Sequence, residues 1–145
     1  MPTHAEIKII PHTAEQMYNL IADIERYPEF LPWCIAARIR ERKDNLVEAD
    51  LVIGYKIFKE SFTSKVHLHP ITRIDVNYEQ GPFRYLNNHW KFKDLGNGSC
   101  ELDFYVDFAF KNHFFQSAIE MFFNEAVRIM IGSFEKRAAQ LYGGK

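Results

Sequence analysis

The sequence predicts an α+β fold in which a curved antiparallel sheet of about seven strands wraps around a long C-terminal helix, with two short helices after the first strand. Three observations predict it. Apolar and polar residues alternate through most of the chain up to Phe110, the period of half-buried strands. Short turn signals break that alternation at regular intervals. The final stretch, residues 112–142, holds no proline and only Gly132 as an internal glycine, and its apolar residues follow helical spacing.

Thr3–Ile10 opens with Ala5, Ile7 and Ile9 on one side and His4, Glu6 and Lys8 on the other, a half-buried strand ended by Pro11. Thr13 with Gln16 three residues on forms a capping box, and Ala14, Met17, Tyr18, Ile21 and Ala22 continue at helical spacing. A second short helix or turn covers residues 24–30, interrupted by Pro28 and stopped by Pro32. Strands are then expected over residues 35–42, 46–57, 61–68, 73–80, 86–92 and 99–110, with turns at Lys43-Asp44-Asn45 and Gly96-Asn97-Gly98. In the last segment Phe115, Ala118, Ile119, Phe122, Phe123, Ala126, Ile129, Met130, Phe134 and Leu141 share about half the helical wheel, wider than the stripe a surface helix needs. Glu120, Asn124, Arg128 and Glu135 occupy the opposite side.

Composition sets limits. The chain has 145 residues with Lys+Arg 18 against Asp+Glu 19, a nearly neutral balance that suits one globular domain and argues against DNA as a partner. No apolar run reaches the roughly 18 residues of a spanning helix, and the start shows neither a secretory nor a transit pattern, so a cytoplasmic protein beginning at Met1 is expected. Cys34 and Cys100 lie far apart without a CxxC motif and are read as free thiols. Aromatic residues make up 15% of the chain, which implies either a densely filled core or an apolar hollow.

Three stretches then carry a family resemblance: Tyr27-Pro28-Glu29-Phe30-Leu31-Pro32-Trp33-Cys34; Gly81-Pro82-Phe83-Arg84-Tyr85-Leu86 with Trp90 and Phe92; and Phe108-Ala109-Phe110 continuing to Phe134-Glu135-Lys136-Arg137-Ala138 and Leu141-Tyr142-Gly143. In order and spacing the chain resembles the coenzyme Q-binding and ribosome-association-toxin branch of the START-like, helix-grip domains, and the likeness runs along essentially its whole length. The resemblance implies a domain that holds ubiquinone or a related isoprenoid lipid in a hydrophobic cavity in support of respiratory electron transfer, without being an enzyme and with no cofactor beyond the bound lipid. It also implies transient contact with the inner-membrane surface.

The cavity is expected to use Phe30, Leu31 and Trp33 from the proline-bounded hook, then Phe62, Tyr78, Phe83, Asn88, Trp90, Phe92 and Phe104 from the strands, and Phe115, Ile119, Phe122 and Met130 from the helix. Many of these side chains serve equally well as plain core. Ser64, Gln80 and Asn88 carry polar groups at inward parity, and a buried hydroxyl or amide there can orient the carbonyls of a quinone. The turn Gly81-Pro82-Phe83 is expected to act as a movable lid.

Other chemistries are less well supported. His67, His69 and His89 share an outward parity and are read as a solvated face, so no metal site is assigned. Cys34 has no charged neighbour to activate it, and Asp103 and Asp107 point outward, so no catalytic residue is assigned. Arg38, Arg40 and Arg42 form an outward basic stripe that suits anionic headgroups or ribosomal RNA. The resemblance implies a ribosome-associated factor on the large subunit as the alternative function, while the stripe serves equally as a solvated sheet face; a cyclase-like enzyme is a weaker alternative.

Overall fold

In a computed structural model that describes residues 3–55 and 58–143, the element order is β1 (Thr3–Ile10), α1 (Ala14–Ala22), a 3-10 helix (Ile24–Glu29), β2 (Cys34–Lys43), β3 (Leu46–Tyr55), β4 (Phe58–His69), β5 (Arg73–Gln80), β6 (Phe83–Asp94), β7 (Cys100–Phe110) and α2 (His113–Tyr142). All pairings are antiparallel, and the seven strands lie in the order β1-β7-β6-β5-β4-β3-β2. The sequence therefore forms a meander from β2 to β7, and β1 closes against β7. The two helices between β1 and β2 carry the chain from one edge of the sheet to the other.

The caps follow the residues that predict them. Thr13 Oγ1 accepts from the Gln16 backbone N–H at 3.1 Å while the Thr13 N–H donates to Gln16 Oε1 at 2.9 Å, which closes the capping box. Asn112 caps α2, its Oδ1 accepting from the backbone N–H groups of Phe114 and Phe115. α2 packs most closely on α1, β7 and β1. Its buried face is Phe123, Val127, Ile131, Phe134 and Ala138, flanked by half-buried Phe115, Ile119 and Met130.

Several expectations are corrected. β1 is inverted: Ile7 and Ile9 are 65% and 66% exposed, while His4, Glu6 and Lys8 face inward. The reason lies in α2, whose polar flank meets this strand. Lys8 pairs with Glu135, His4 meets Asn124 at 3.4 Å, and the His4 ring packs between Phe104 and Phe123. On α2 itself, Ala118, Ile129 and Leu141 face solvent, whereas Val127, Ile131 and Ala138, outside the predicted arc, are buried.

Bulges account for the other differences. A register shift in β2 between Ile39 and Glu41 places Arg42 opposite inward-facing Val47, so Arg42 leaves the outer face that Arg38 holds opposite Asp50. The predicted three-arginine stripe is thereby broken. Arg38 and Arg40 converge on Asp50 at 2.7 and 3.6 Å, and Thr63 donates to the same carboxylate at 2.6 Å. Burial pushes the Asp50 carboxyl upward, but those hydrogen bonds and the two guanidinium charges outweigh it and hold the group below its ordinary range. A second shift, between Thr63 and Ser64 of β4, sets Thr63 opposite Gln80 and leaves Gln80 exposed instead of inward.

Two turns next to one another along the meander have opposite backbone chemistry. Ile71, between β4 and β5, sits at φ 72°, where a β-branched side chain is strained, and it is exposed. Gly81, between β5 and β6, has φ 145°, and a Cβ there would lie 2.5 Å from Phe62 Cβ. Replacement should therefore move stability in opposite directions. Ile71→Asn, which tolerates the left-handed region, is expected to gain about 0.5–1 kcal/mol, and Gly81→Ala to lose at least about 2 kcal/mol, shifting Tm by roughly 2–4 °C per kcal/mol in calorimetry.

Candidate functional site

Between the concave face of the sheet and α2 lies a cavity of about 290 Å³. The strands contribute side chains at alternate positions, as the pleat requires: Ala49, Leu51 and Ile53 from β3, Phe62, Ser64 and Val66 from β4, Ile74 and Val76 from β5, and Leu86, Asn88 and Trp90 from β6. α2 contributes Ile119, Phe123, Ala126, Val127, Met130 and Phe134 at intervals of three and four residues, the spacing of a single helical face.

The proline-bounded hook is fixed by its own hydrogen bonds. Pro28 lies inside the 3-10 helix, the Leu31 N–H donates to the Tyr27 carbonyl at 2.9 Å, and the Gly54 N–H donates to the Trp33 carbonyl at 2.9 Å, which ties the hook to β3. Leu31, Trp33 and Cys34 thereby reach the cavity. Phe30 turns away from it. Its ring packs edge-on with Phe134 at 5.3 Å, the Arg137 guanidinium lies over the ring at 5.2 Å from its centroid, and Arg137 pairs with Glu29. Phe30 is thus a wedge between the hook and α2.

Of the other residues expected at the site, Phe62, Phe83, Asn88, Trp90, Phe104, Ile119 and Met130 line the cavity with Leu31 and Trp33. Four do not. Tyr78 braces the following turn, its hydroxyl accepting from the Phe83 backbone N–H at 3.1 Å. Phe92 is buried against Tyr18 of α1, with ring centroids 5.9 Å apart. Phe115 meets Phe110 and Phe114 at the start of α2, and Phe122 lies half-buried beside the wall.

The turn expected to serve as a lid is held firmly. Phe83 is only 4% exposed and contacts the rings of Phe62, Tyr78, Phe108 and Phe110, while the Lys111 N–H donates to the Pro82 carbonyl at 2.9 Å. A turn so braced is part of the wall.

Several lining residues escape the sequence-based selection. Tyr27 and Cys34 stand inside the hook motif, Phe108 follows from strand parity and Phe123 from the helical arc, whereas Val127 lies just outside that arc. Tyr27 donates its hydroxyl proton to the Ile21 carbonyl, and burial pushes that hydroxyl well above the ordinary phenol range, so it stays a neutral donor. Burial likewise pushes the Cys34 thiol up to about 11, which keeps it protonated at neutral pH.

Polar groups are sparse in the wall. Asn88 donates from Nδ2 to the Tyr105 carbonyl at 2.8 Å, which fixes the orientation of its amide. Ser64 is 4% exposed, and its Oγ has no hydrogen-bond partner among the described residues. Such an atom costs about 1–3 kcal/mol to leave unsatisfied. On the outer face of the sheet, His69 and His89 sit near Asp75 and Asp103 at 3.4 and 3.7 Å, so the histidine face does carry the acidic neighbours that sequence spacing did not reveal. Among the described residues, no cluster of three or more such groups is arranged to hold a metal ion. No helix among them is long and apolar enough to cross a membrane.

Residues 10–135 match the family described as polyketide cyclase / dehydrase and lipid transport. The ribosome association toxin RatA of Pseudomonas aeruginosa is 34% identical over 144 residues, covering 99% of this chain and 100% of that protein. The mitochondrial coenzyme Q-binding protein homolog B of Xenopus laevis is 31% identical over 144 residues, covering 97% of this chain and 59% of that protein. A START superfamily protein from Mycobacterium smegmatis superposes with a TM-score of 0.83 at 19% identity, covering 96% of this chain and 98% of that one, which shows the shared fold. A family match over most of the length, on a seven-stranded sheet gripping a C-terminal helix, places the chain in the polyketide cyclase/dehydrase and lipid transport family with its START-like fold.

Proposed function

We propose that this protein binds an isoprenoid quinone such as ubiquinone, or a closely related isoprenoid lipid, in the cavity between sheet and α2, and acts as a carrier that supports respiratory electron transport. The observation that carries the reading is Ser64: a buried hydroxyl without a partner, set in a wall that is otherwise almost wholly apolar. A quinone ring offers carbonyl acceptors to such a donor and apolar surface to everything else. The coenzyme Q-binding name of the Xenopus relative supports the same class of ligand.

Cavity size constrains how the lipid sits. A volume of 290 Å³ equals roughly ten waters at ~30 Å³ each, enough for a substituted ring and a short stub of tail. The rest of a long isoprenoid tail must lie outside, along protein or in a membrane. Binding is driven by apolar burial at about 25 cal/mol per Å², and Ser64 supplies selectivity for the head group. The step is uptake and hand-over with no covalent chemistry.

A ribosome-facing role is the second reading, favoured by the full-length match to a relative named for ribosome association. It would use a surface unlike the expected stripe, because Asp50 partly neutralises Arg38 and Arg40 and the β2 bulge turns Arg42 to the other face. Charge reversal at these three arginines should leave ribosome co-sedimentation in place if the contact lies elsewhere, and abolish it if the stripe acts despite its pairing.

Native mass spectrometry and organic extraction of protein purified from its own host should recover a quinone or related isoprenoid. Recovery of none, together with failure to bind added ubiquinone, would sink the lipid reading. The Ser64→Ala variant gives a finer test. Loss of one hydrogen bond to a carbonyl should weaken ubiquinone binding by roughly tenfold, while binding of an isoprenoid hydrocarbon without a carbonyl stays unchanged. The unliganded variant should be no less stable than the parent, since the substitution removes an unsatisfied group.

A further inference from the structure

α2 has a second apolar face. With residues advancing about 100° each, Phe114, Ala118, Met121, Glu125, Arg128 and Gly132 fall on one stripe at alternating intervals of four and three, roughly a third of a turn or more from the cavity-lining Ile119 and Met130. That stripe is open to solvent. Met121 is 79% exposed and Phe114 65%, and neighbouring Ile129 is 45% exposed. Gly132 has nothing within 4 Å of where a Cβ would stand. Neither Glu125 nor Arg128 has an ion pair or hydrogen bond with another described residue.

We propose that this stripe is a self-association surface on which α2 pairs with α2 of a second copy of the chain, antiparallel about a two-fold axis between Glu125 and Arg128. The stripe is complementary to itself in that arrangement and in no parallel one. Antiparallel pairing about this point sets Glu125 of each copy opposite Arg128 of the other, so two opposite charges meet twice. It sets Met121, the most exposed large apolar side chain of the helix, opposite the gap at Gly132. It sets Phe114 opposite Ala139 and Ala118 opposite Glu135, whose charge is already met by Lys8 of its own chain. Large side chains face small ones and the two central charges face their opposites, as an isologous interface requires. A parallel in-register pair would instead set Glu125 against Glu125 and Arg128 against Arg128.

The contact is modest. The stripe from Phe114 to Ala139 is about 39 Å long, and a helix face about 10–12 Å wide gives roughly 400 Å² per copy, half the usual share of a stable interface. A concentration-dependent dimer follows, dissociating in the range of roughly 10 µM to 1 mM. A bilayer surface is the other occupant that an exposed apolar helix face suggests. The opposite charges at the centre of the stripe, placed to meet their counterparts in a second copy, favour the dimer.

Sedimentation equilibrium of the full chain from about 10 µM to 1 mM tests this, with circular dichroism to check that each variant is folded. Glu125→Arg alone and Arg128→Glu alone each set like charges together and should weaken association at least about tenfold. The double swap restores both pairs and should recover the parent constant to within about threefold. Gly132→Leu fills the gap and should weaken association as well. A chain that stays monomeric throughout, association indifferent to the single swaps, or a double swap that fails to recover would each overturn the proposal. So would a monomer that floats with phosphatidylglycerol vesicles and loses this on Met121→Glu, since the stripe would then face a membrane.

Discussion

One helix cannot cover seven strands. With strands about 4.8 Å apart, the sheet spans roughly 29 Å, while an α-helix with its side chains is only about 10–12 Å across. α2 settles over β7 and β1, beside α1. The apolar faces of β3 to β6 are then left to be closed by the curl of the sheet and by the hook at Leu31 and Trp33. The cavity follows from that mismatch of widths, and the aromatic residues are the means of narrowing it. Phe83, held among four other rings, closes one end, and Trp90, Phe104 and Phe134 pack together along the floor.

The elements and the order of the sheet were legible in the sequence because period, proline and caps are local signals. The direction in which a strand presents its faces was not always so. β1 alternates as cleanly as any strand, and yet Ile7 and Ile9 face solvent, because parity shows that two faces differ and cannot show which one meets the helix. Only the neighbour decides. Here the neighbour is the polar flank of α2, with Asn124 and Glu135, and it selects His4 and Lys8. A similar limit applies to Gln80 and Arg42. A single extra residue in a bulge reverses every side chain beyond it, and the bulges at Ile39/Glu41 and Thr63/Ser64 leave no mark in composition.

Of the candidate site, the wall was largely legible, and which of its polar groups stands without a partner was not. Ser64 and Asn88 share the same inward parity, and before structure they looked alike. Their environments separate them. The Asn88 amide is committed to a backbone carbonyl across the sheet, whereas the Ser64 hydroxyl has no such neighbour. Hydrogen bonding is a three-dimensional account, and a polar residue becomes informative only when that account fails to close.

α2 presents two faces with different physical character, and the second shares only Ala118 with the apolar arc that helical spacing predicts. One is continuous with the cavity, uncharged, and shaped by contact with the sheet through Phe123, Val127 and Phe134. The other alternates large, small and charged residues along its length, open to solvent at Met121 and leaving a gap at Gly132. A surface that merely tolerated exposed apolar groups would have no reason to place Glu125 and Arg128 one turn apart at its centre. The first face follows the wall of the cavity, and the second is complementary to its own sequence read backwards. A helix of 30 residues is long enough to satisfy both, because the two lines of contact run parallel to its axis without crossing.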